Sequence, residues 1–256
     1  MRTLDQLVAL YYREVSKIYF SIFTLAMTFI QPLMWVIFFG SSLSGLPKAF
    51  LEEFFHTSNY LTFLIPGELS VSSISMGMMA SMSLVQDKRL GYLKRVMVAP
   101  TRKYVIFLAK VLGGATRGLI QVPVILVAGW LMGARFYVNA YLFLWLIALY
   151  LVSMGFSSIY FMFNVSSSDW QRPGLVANLI TFPLMFSSTA LFPKTFFPSW
   201  LQLISDVNPL TYLAELGRDA MISNTFDPLY FAALLAFSLV MLALGTIITE
   251  LKLTPD

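Results

Sequence analysis

The chain has no cysteine and a single histidine, two shortages that remove most metal and redox chemistry at the outset. Without thiols there is neither a disulfide framework nor a Cys-ligated metal. The lone histidine, His56, stands near Glu52 and Glu53 in a loop and reads as a solvated residue rather than a metal ligand. A Ser/His/Asp catalytic set needs its histidine beside the nucleophile, and none can be assembled around His56. Also missing is G-x-x-x-x-G-K-[ST], whose backbone amides cradle nucleotide phosphates. The nearest glycine cluster, Gly113-Gly114-Ala115-Thr116-Arg117-Gly118, has no Lys-Ser/Thr pair. No paired carboxylates stand in the apolar stretches to hold a Mg²⁺-diphosphate. The sequence therefore predicts no catalytic residues, no cofactor and no metal in this chain. Charge is scarce as well: 12% of the 256 residues are charged and 58% are hydrophobic, far from a soluble globular average.

What is present is a series of apolar blocks of about 20 residues, the length that crosses ~30 Å of hydrocarbon at 1.5 Å per residue. Six spans are predicted, near Tyr19–Gly40, Tyr60–Val85, Tyr104–Met132, Ala140–Phe163, Gly174–Leu191 and Pro228–Glu250. The loops can be sorted by side. One side holds Arg2, Arg13, Lys17, Lys88, Arg89, Lys94, Arg95, Arg102, Lys103, Arg172 and Lys252; the other holds only Lys48, Arg135, Lys194 and Arg218. Basic residues near span ends are retained in the cytoplasm, so both termini and the 86–103 loop are expected there. The net charge of +4 is then a product of topology and not a nucleic-acid signal. The expected fold is all-α integral membrane, one transmembrane domain over residues 1–256. The N-terminus predicts neither a signal peptide nor a transit peptide.

Two extramembrane segments carry patterning of their own. In residues 1–18, Leu4, Leu7, Val8, Tyr11, Val15 and Ile18 follow the i, i+3, i+4, i+7 rhythm of one helix face. This predicts a helix lying in the cytoplasmic interface, the alternative being an ordinary basic flank. The loop 86–103 has six Lys or Arg against one acid, Asp87, and an apolar side formed by Leu90, Tyr92, Leu93 and Met97, with Pro100 ending the helix. Such a side suits either a cleft on a partner or the lipid headgroups. Inside the spans, Lys110, Gly114, Arg117 and Gln121 share one face of the third. A lipid-facing Arg117 would cost ~2.5–3.5 kcal/mol, so it is expected against protein or a wet cavity, as structural glue ahead of a substrate contact. Lys110 can snorkel to the cytoplasm and by itself means little. Gly113, Gly114 and Gly118 suit close helix approach. Glu68, beside Pro66-Gly67, is expected close to the outer surface.

Read together, two segments resemble the type-2 ABC exporter permeases of drug, lipid and polysaccharide export. The first is Asp87, Gly91, Leu93 and Pro100 followed by Lys110, which is similar to that family's first cytoplasmic loop. The second runs Leu191-Phe192-Pro193, Phe197-Pro198-Ser199-Trp200-Leu201, Asn208-Pro209-Leu210-Thr211-Tyr212 and then Arg218, resembling the outer segment before the last span. Ile65-Pro66-Gly67 fits as well. The resemblance implies that Asp87, Leu90, Gly91, Tyr92, Leu93, Met97 and Pro100 couple to an ATPase. It implies that Phe192, Pro193, Trp200, Asn208, Pro209, Tyr212 and Arg218 shape an outer gate. Too short to span and too apolar to be free in water, 192–212 is itself expected to form short re-entrant or outer-interface helices, with Trp200 and Asn208 buried against the spans. The plain alternative is an interfacial loop with belt aromatics. The partners implied are two nucleotide-binding ATPase subunits, which would carry ATP and Mg, and a second permease copy in a homodimer in the cell (inner) membrane. An ion-gradient-driven carrier or channel is the rival, disfavoured because such carriers show intramembrane acids and interrupted paired helices.

Overall fold

The computed structural model describes residues 3–17, 22–43, 45–98 and 101–253, and these are helical with no strand among them. Twelve α-helices are used below: α1 Thr3–Ser16, α2 Ile22–Leu43, α3 Lys48–Phe55, α4 Tyr60–Arg89, α5 Tyr92–Val98, α6 Lys103–Leu119, α7 Gln121–Leu131, α8 Ala140–Asn164, α9 Arg172–Phe186, α10 Ser199–Ser205, α11 Pro209–Arg218 and α12 Pro228–Lys252. A 3₁₀ turn at Lys194–Phe196 and a π turn at Asp219–Ser223 complete the outer connections. The end that carries α1 and the α4–α5 loop is called the basic end.

Helix starts follow from local chemistry. Each helix leaves its first backbone N–H groups without intrahelical acceptors, and a short polar side chain just before it can accept from them. Asn59 Oδ1 accepts from Leu61 N at 2.9 Å, Asn139 Oδ1 from Leu142 N at 2.8 Å, Asn208 Oδ1 from Leu210 N at 2.9 Å and Asp227 Oδ1 from Leu229 N at 2.8 Å. At the basic end the Glu250 carboxylate of α12 accepts from Tyr104 N at 2.9 Å, so α12 caps α6 across the bundle.

Among the described residues, four helical stretches are long and apolar enough to cross a membrane: Lys48–Arg89, Lys103–Leu131, Ala140–Asn164 and Pro228–Lys252. The other two expected spans differ in instructive ways. Gly174–Leu191 is helical only within α9, 15 residues long, or ~22 Å at 1.5 Å per residue. Its last expected residues, Ser187 to Leu191, leave the helix in a tight turn. The first expected span corresponds to α2, whose described apolar portion is Phe29–Leu43. The third span is one helical stretch with a break at Ile120, between α6 and α7. Pro123 accounts for that break, because its ring clashes with the carbonyl four residues back, that of Leu119.

The core is organised around α4, buried on nearly all sides and packed by α2, α6, α8, α9 and α11. Its serines and glycines permit that closeness. Two apolar clusters result. The larger lies away from the basic end and centres on Leu64, Ile74, Trp145 and Tyr160. A smaller one, around Leu84, Phe107, Val111 and Phe161, sits above the basic end. The three third-span glycines meet neighbours as expected: a Cβ at Gly113, Gly114 or Gly118 would come within 3.0 Å of Glu14, Ala80 or Met76.

Candidate functional site

At the basic end α4 stops at Leu90, and Gly91, with φ of +66°, turns the chain into α5. Positive φ costs an L-residue with a Cβ ~1–2 kcal/mol, so glycine sets the angle at which α5 leaves. The α5 helix then lies against the bundle in an orientation the sequence did not anticipate. Leu93, expected on a partner-facing side, is 1% exposed and packs into the chain's own smaller core with Leu84, Ile106 and Phe107, and Met97 is half-buried beside it. The reason is local. A seven-residue helix cannot hold itself together alone, and its one consistent apolar stripe is consumed in docking it. Leu90 (71% exposed), Val98, Arg89, Lys94 and Arg95 remain outward. The free surface is thus basic with two apolar residues. Pro100 lies outside the described residues.

Beneath α5 is a buried charge cluster. The Asp87 carboxylate accepts from Arg13 at 2.8 and 2.9 Å, from Lys110 at 2.5 Å and from Lys17 at 3.3 Å. Glu14 of α1 accepts from Lys17 at 2.9 Å, Lys110 at 3.1 Å and the Ser83 hydroxyl at 2.6 Å. The Arg13 guanidinium also stacks over Tyr92 at 3.4 Å. Three helices, α1, α4 and α6, therefore meet through ions directly under the first residue of α5. Burial alone would raise the Glu14 carboxyl, but Lys110, Lys17 and the Ser83 hydroxyl outweigh it and hold it at about 2. For Lys17, burial and then the like charge of Lys110 outweigh its two carboxylate partners and bring it down to about 8.

Lys110 does not snorkel; it is buried and paired with both acids. Glu14 is the residue the sequence reasoning missed. It stands seven positions after Leu7 and three after Tyr11 on the face of α1 that turns into the bundle, while Leu4, Val8 and Tyr12 face outward. An acid in the rhythm of an apolar face was the available signal.

One turn further into the bundle a chamber of about 430 Å³ opens, lined by Met78, Met79, Met82, Gln86, Arg117, Gln121 and Trp170 among others. Arg117 donates to the Met79 carbonyl at 3.2 Å and stands 3.9 Å from Glu14, so it ties α6 to α4 while bordering the space. Gln121 is 1% exposed, and its Nε2 has no hydrogen-bond partner among the described residues.

At the far end, Arg218 binds the turn that ends α9. Its guanidinium donates to the carbonyls of Thr189 at 2.7 Å and Ala190 at 3.0 Å, pairs with Glu215 at 2.7 Å and lies 3.5 Å over the Phe63 ring. Tyr60 adds a bond to the Leu191 carbonyl at 2.9 Å. Asn208, 2% exposed, caps α11, which begins at Pro209, and also donates to Leu184 O and Ser187 Oγ. Tyr212 donates to the Asp206 carbonyl, Pro193 is buried, and Phe192 sits at the rim with its edge to Phe39. Trp200, expected to be buried, is 64% exposed on α10, because the inner face of that helix is given to Ser205 instead. Arg218 and Asn208 act as structural ties.

This architecture can be compared with known proteins. The family described as ABC-2 type transporter matches residues 5–222. The chain belongs to that family. The permease is 32% identical to proteins carrying the name transport permease ycf38 in Cyanophora paradoxa, over 75% of this chain and 66% of that one, and in Porphyra purpurea, over 79% and 68%. It is 26% identical to the daunorubicin resistance ABC transporter permease protein DrrB1 of Streptomyces coeruleorubidus, over 75% of this chain and 66% of that one. The chain thus spans about two thirds of the length of these relatives. As a member of a transport-permease family with several membrane-crossing helices, it is a multi-pass membrane protein and not a catalytic enzyme.

Proposed function

We propose that this permease is the membrane-spanning subunit of an ATP-driven exporter that moves an amphipathic substrate (a drug, lipid or lipid-linked glycan) outward through the cell (inner) membrane. In this reading it works as a homodimer with two separate ATPase subunits, which supply ATP and Mg. The basic end faces the cytoplasm, a reading that the excess of Lys and Arg there supports. Six crossings are made, with α2 and the shortened α9 completing the set and the 192–212 segment folding back at the outer side. The observation that carries the proposal is α5 itself: a short helix seated on a three-helix ion cluster, with a basic, partly apolar face free. A push on that face reaches α1, α4 and α6 together, since all three share the ions of Asp87 and Glu14. The permease should therefore be reconstituted with its ATPase in proteoliposomes containing candidate amphiphiles. Substrate-stimulated ATP hydrolysis with outward flux is expected; flux driven by an ion gradient without ATP contradicts the reading.

A further inference from the structure

A second cavity, of about 120 Å³, lies between α2, α4 and α9, lined by Gln31, Trp35, Glu68, Ser72, Asn178 and Thr181 among others. A single water needs ~10–15 Å³ on this measure, so the space admits a small organic group. It shares Gln31, Pro32, Ser75 and Met78 with the 430 Å³ chamber, so the two adjoin. Glu68, expected close to the outer surface, faces this cavity. It is 3% exposed and stands about 12 Å along α4 from its first residue, at 1.5 Å per residue.

Glu14 and Asp87 each sit among two or more cations, whereas no Lys or Arg pairs with Glu68 among the described residues. An ionised acid buried in a membrane bundle is expensive, and a cation seated beside it offsets that cost. Besides Glu68, the polar groups lining the cavity are the carboxamides of Gln31 and Asn178, the hydroxyls of Ser72, Ser75 and Thr181 and the indole of Trp35. Oxygen acceptors beside an aromatic ring suit an organic ammonium. Arg117, the cation bordering the adjoining chamber, is turned to the Met79 carbonyl and towards Glu14. The adjoining walls carry Met78, Met79, Met82 and Trp170, polarisable side chains that adapt to varied apolar shapes.

We infer that the Glu68 cavity binds the positively charged end of an amphipathic organic cation, whose apolar body lies in the methionine-lined chamber. The inference deepens the transport proposal by naming its substrate class, but binding can be measured with no ATPase present. The full chain in lipid nanodiscs is titrated with the fluorescent cation dimethylaminostyryl-N-methylpyridinium and with its uncharged parent, dimethylaminostyrylpyridine. The wild type is expected to prefer the cation. Glu68→Gln, nearly the same shape, is expected to weaken the cation at least about tenfold and leave the neutral parent unchanged; Glu68→Asp keeps the preference. Equal cation affinity in wild type and Glu68→Gln, a parallel loss of both probes, or no wild-type preference for charge overturns the inference. Should Glu68→Gln not fold, the wild-type preference and Glu68→Asp decide. Cation binding that persists where ATPase coupling fails would contradict the transport proposal and leave this site standing.

Discussion

The cluster of Arg13, Glu14, Lys17, Asp87 and Lys110 holds three cations against two acids, and that inequality makes its members unequal in effect. Removing Glu14 leaves Lys110, buried with it, short of a partner, and breaking such a pair costs ~3–5 kcal/mol. Glu14→Gln should therefore lower the thermal midpoint of the purified permease by the equivalent of about 3 kcal/mol. Lys17→Met leaves two cations on two acids and should leave the midpoint unchanged or raise it. A Lys17→Met loss as large as that of Glu14→Gln would mean the cluster is not balanced as described. The pH dependence has two signs. Glu14 is held at about 2 against an ordinary 4.5, so its stabilisation is complete above about 4.5 and lost as pH falls toward 2. Lys17 is brought down to about 8 from 10.5, so its destabilisation is complete below 8 and is relieved as pH rises toward 10.5. Melting across these two windows should show both slopes in the wild type. In Glu14→Gln the alkaline slope should remain and the acid slope should shrink without vanishing, because Asp87 is still paired with Arg13 and Lys110.

Elements were legible where the signal is local. Asn59, Asn139, Asn208 and Asp227 each stand before a helix they cap, and Gly91 marks a turn. Contacts that depend on which of two apolar faces wins were not legible. The α5 pattern could dock inward or outward, and the side with Leu93 went inward because the chain's own core had a place for it. Glu14 was missed for a related reason: the partners that draw it into the bundle, Ser83 and Lys110, lie 69 and 96 residues away. The same logic shortens α9, whose Ser187 to Thr189 stretch bonds locally and to Arg218 instead of continuing the helix. At this scale Gly91 gives a clean test. Gly91→Ala forces a Cβ into positive φ at ~1–2 kcal/mol and should misorient α5, weakening ATPase association and lowering the melting midpoint by no more than that strain. Gly91→Asn, which tolerates that conformation, should be close to wild type. Equal loss in both would assign Gly91 a role other than setting the turn. In the outer segment, Asn208→Ala removes a cap and two further bonds and should lower the midpoint by at least ~1 kcal/mol. Exposed Trp200→Ala should not lower it.

For the whole molecule, orientation decides whether the basic end can meet an ATPase at all. The chain lacks cysteine, so a cysteine replacing Lys94 or Lys48 reports its own side. An impermeant thiol reagent on intact cells should label the Lys48 position and not the Lys94 position; the reverse pattern contradicts the topology. The central claim is that the outward face of α5 holds a partner ATPase. The most direct measurement is recovery of an ATPase with the affinity-tagged permease from detergent extracts. The wild type should retain it. Leu90→Asp combined with Val98→Asp places charges on exposed positions, so the permease should stay folded. Buried, unpaired charges at the contact cost ~2–5 kcal/mol, which is about thirtyfold to several-thousandfold in affinity. Leu93→Asp, by contrast, should unfold the basic end, since that residue lies in the permease's own core. A folded double variant that has lost its ATPase is the result predicted; one that retains it in full, or a wild type that never carries one, would contradict the account.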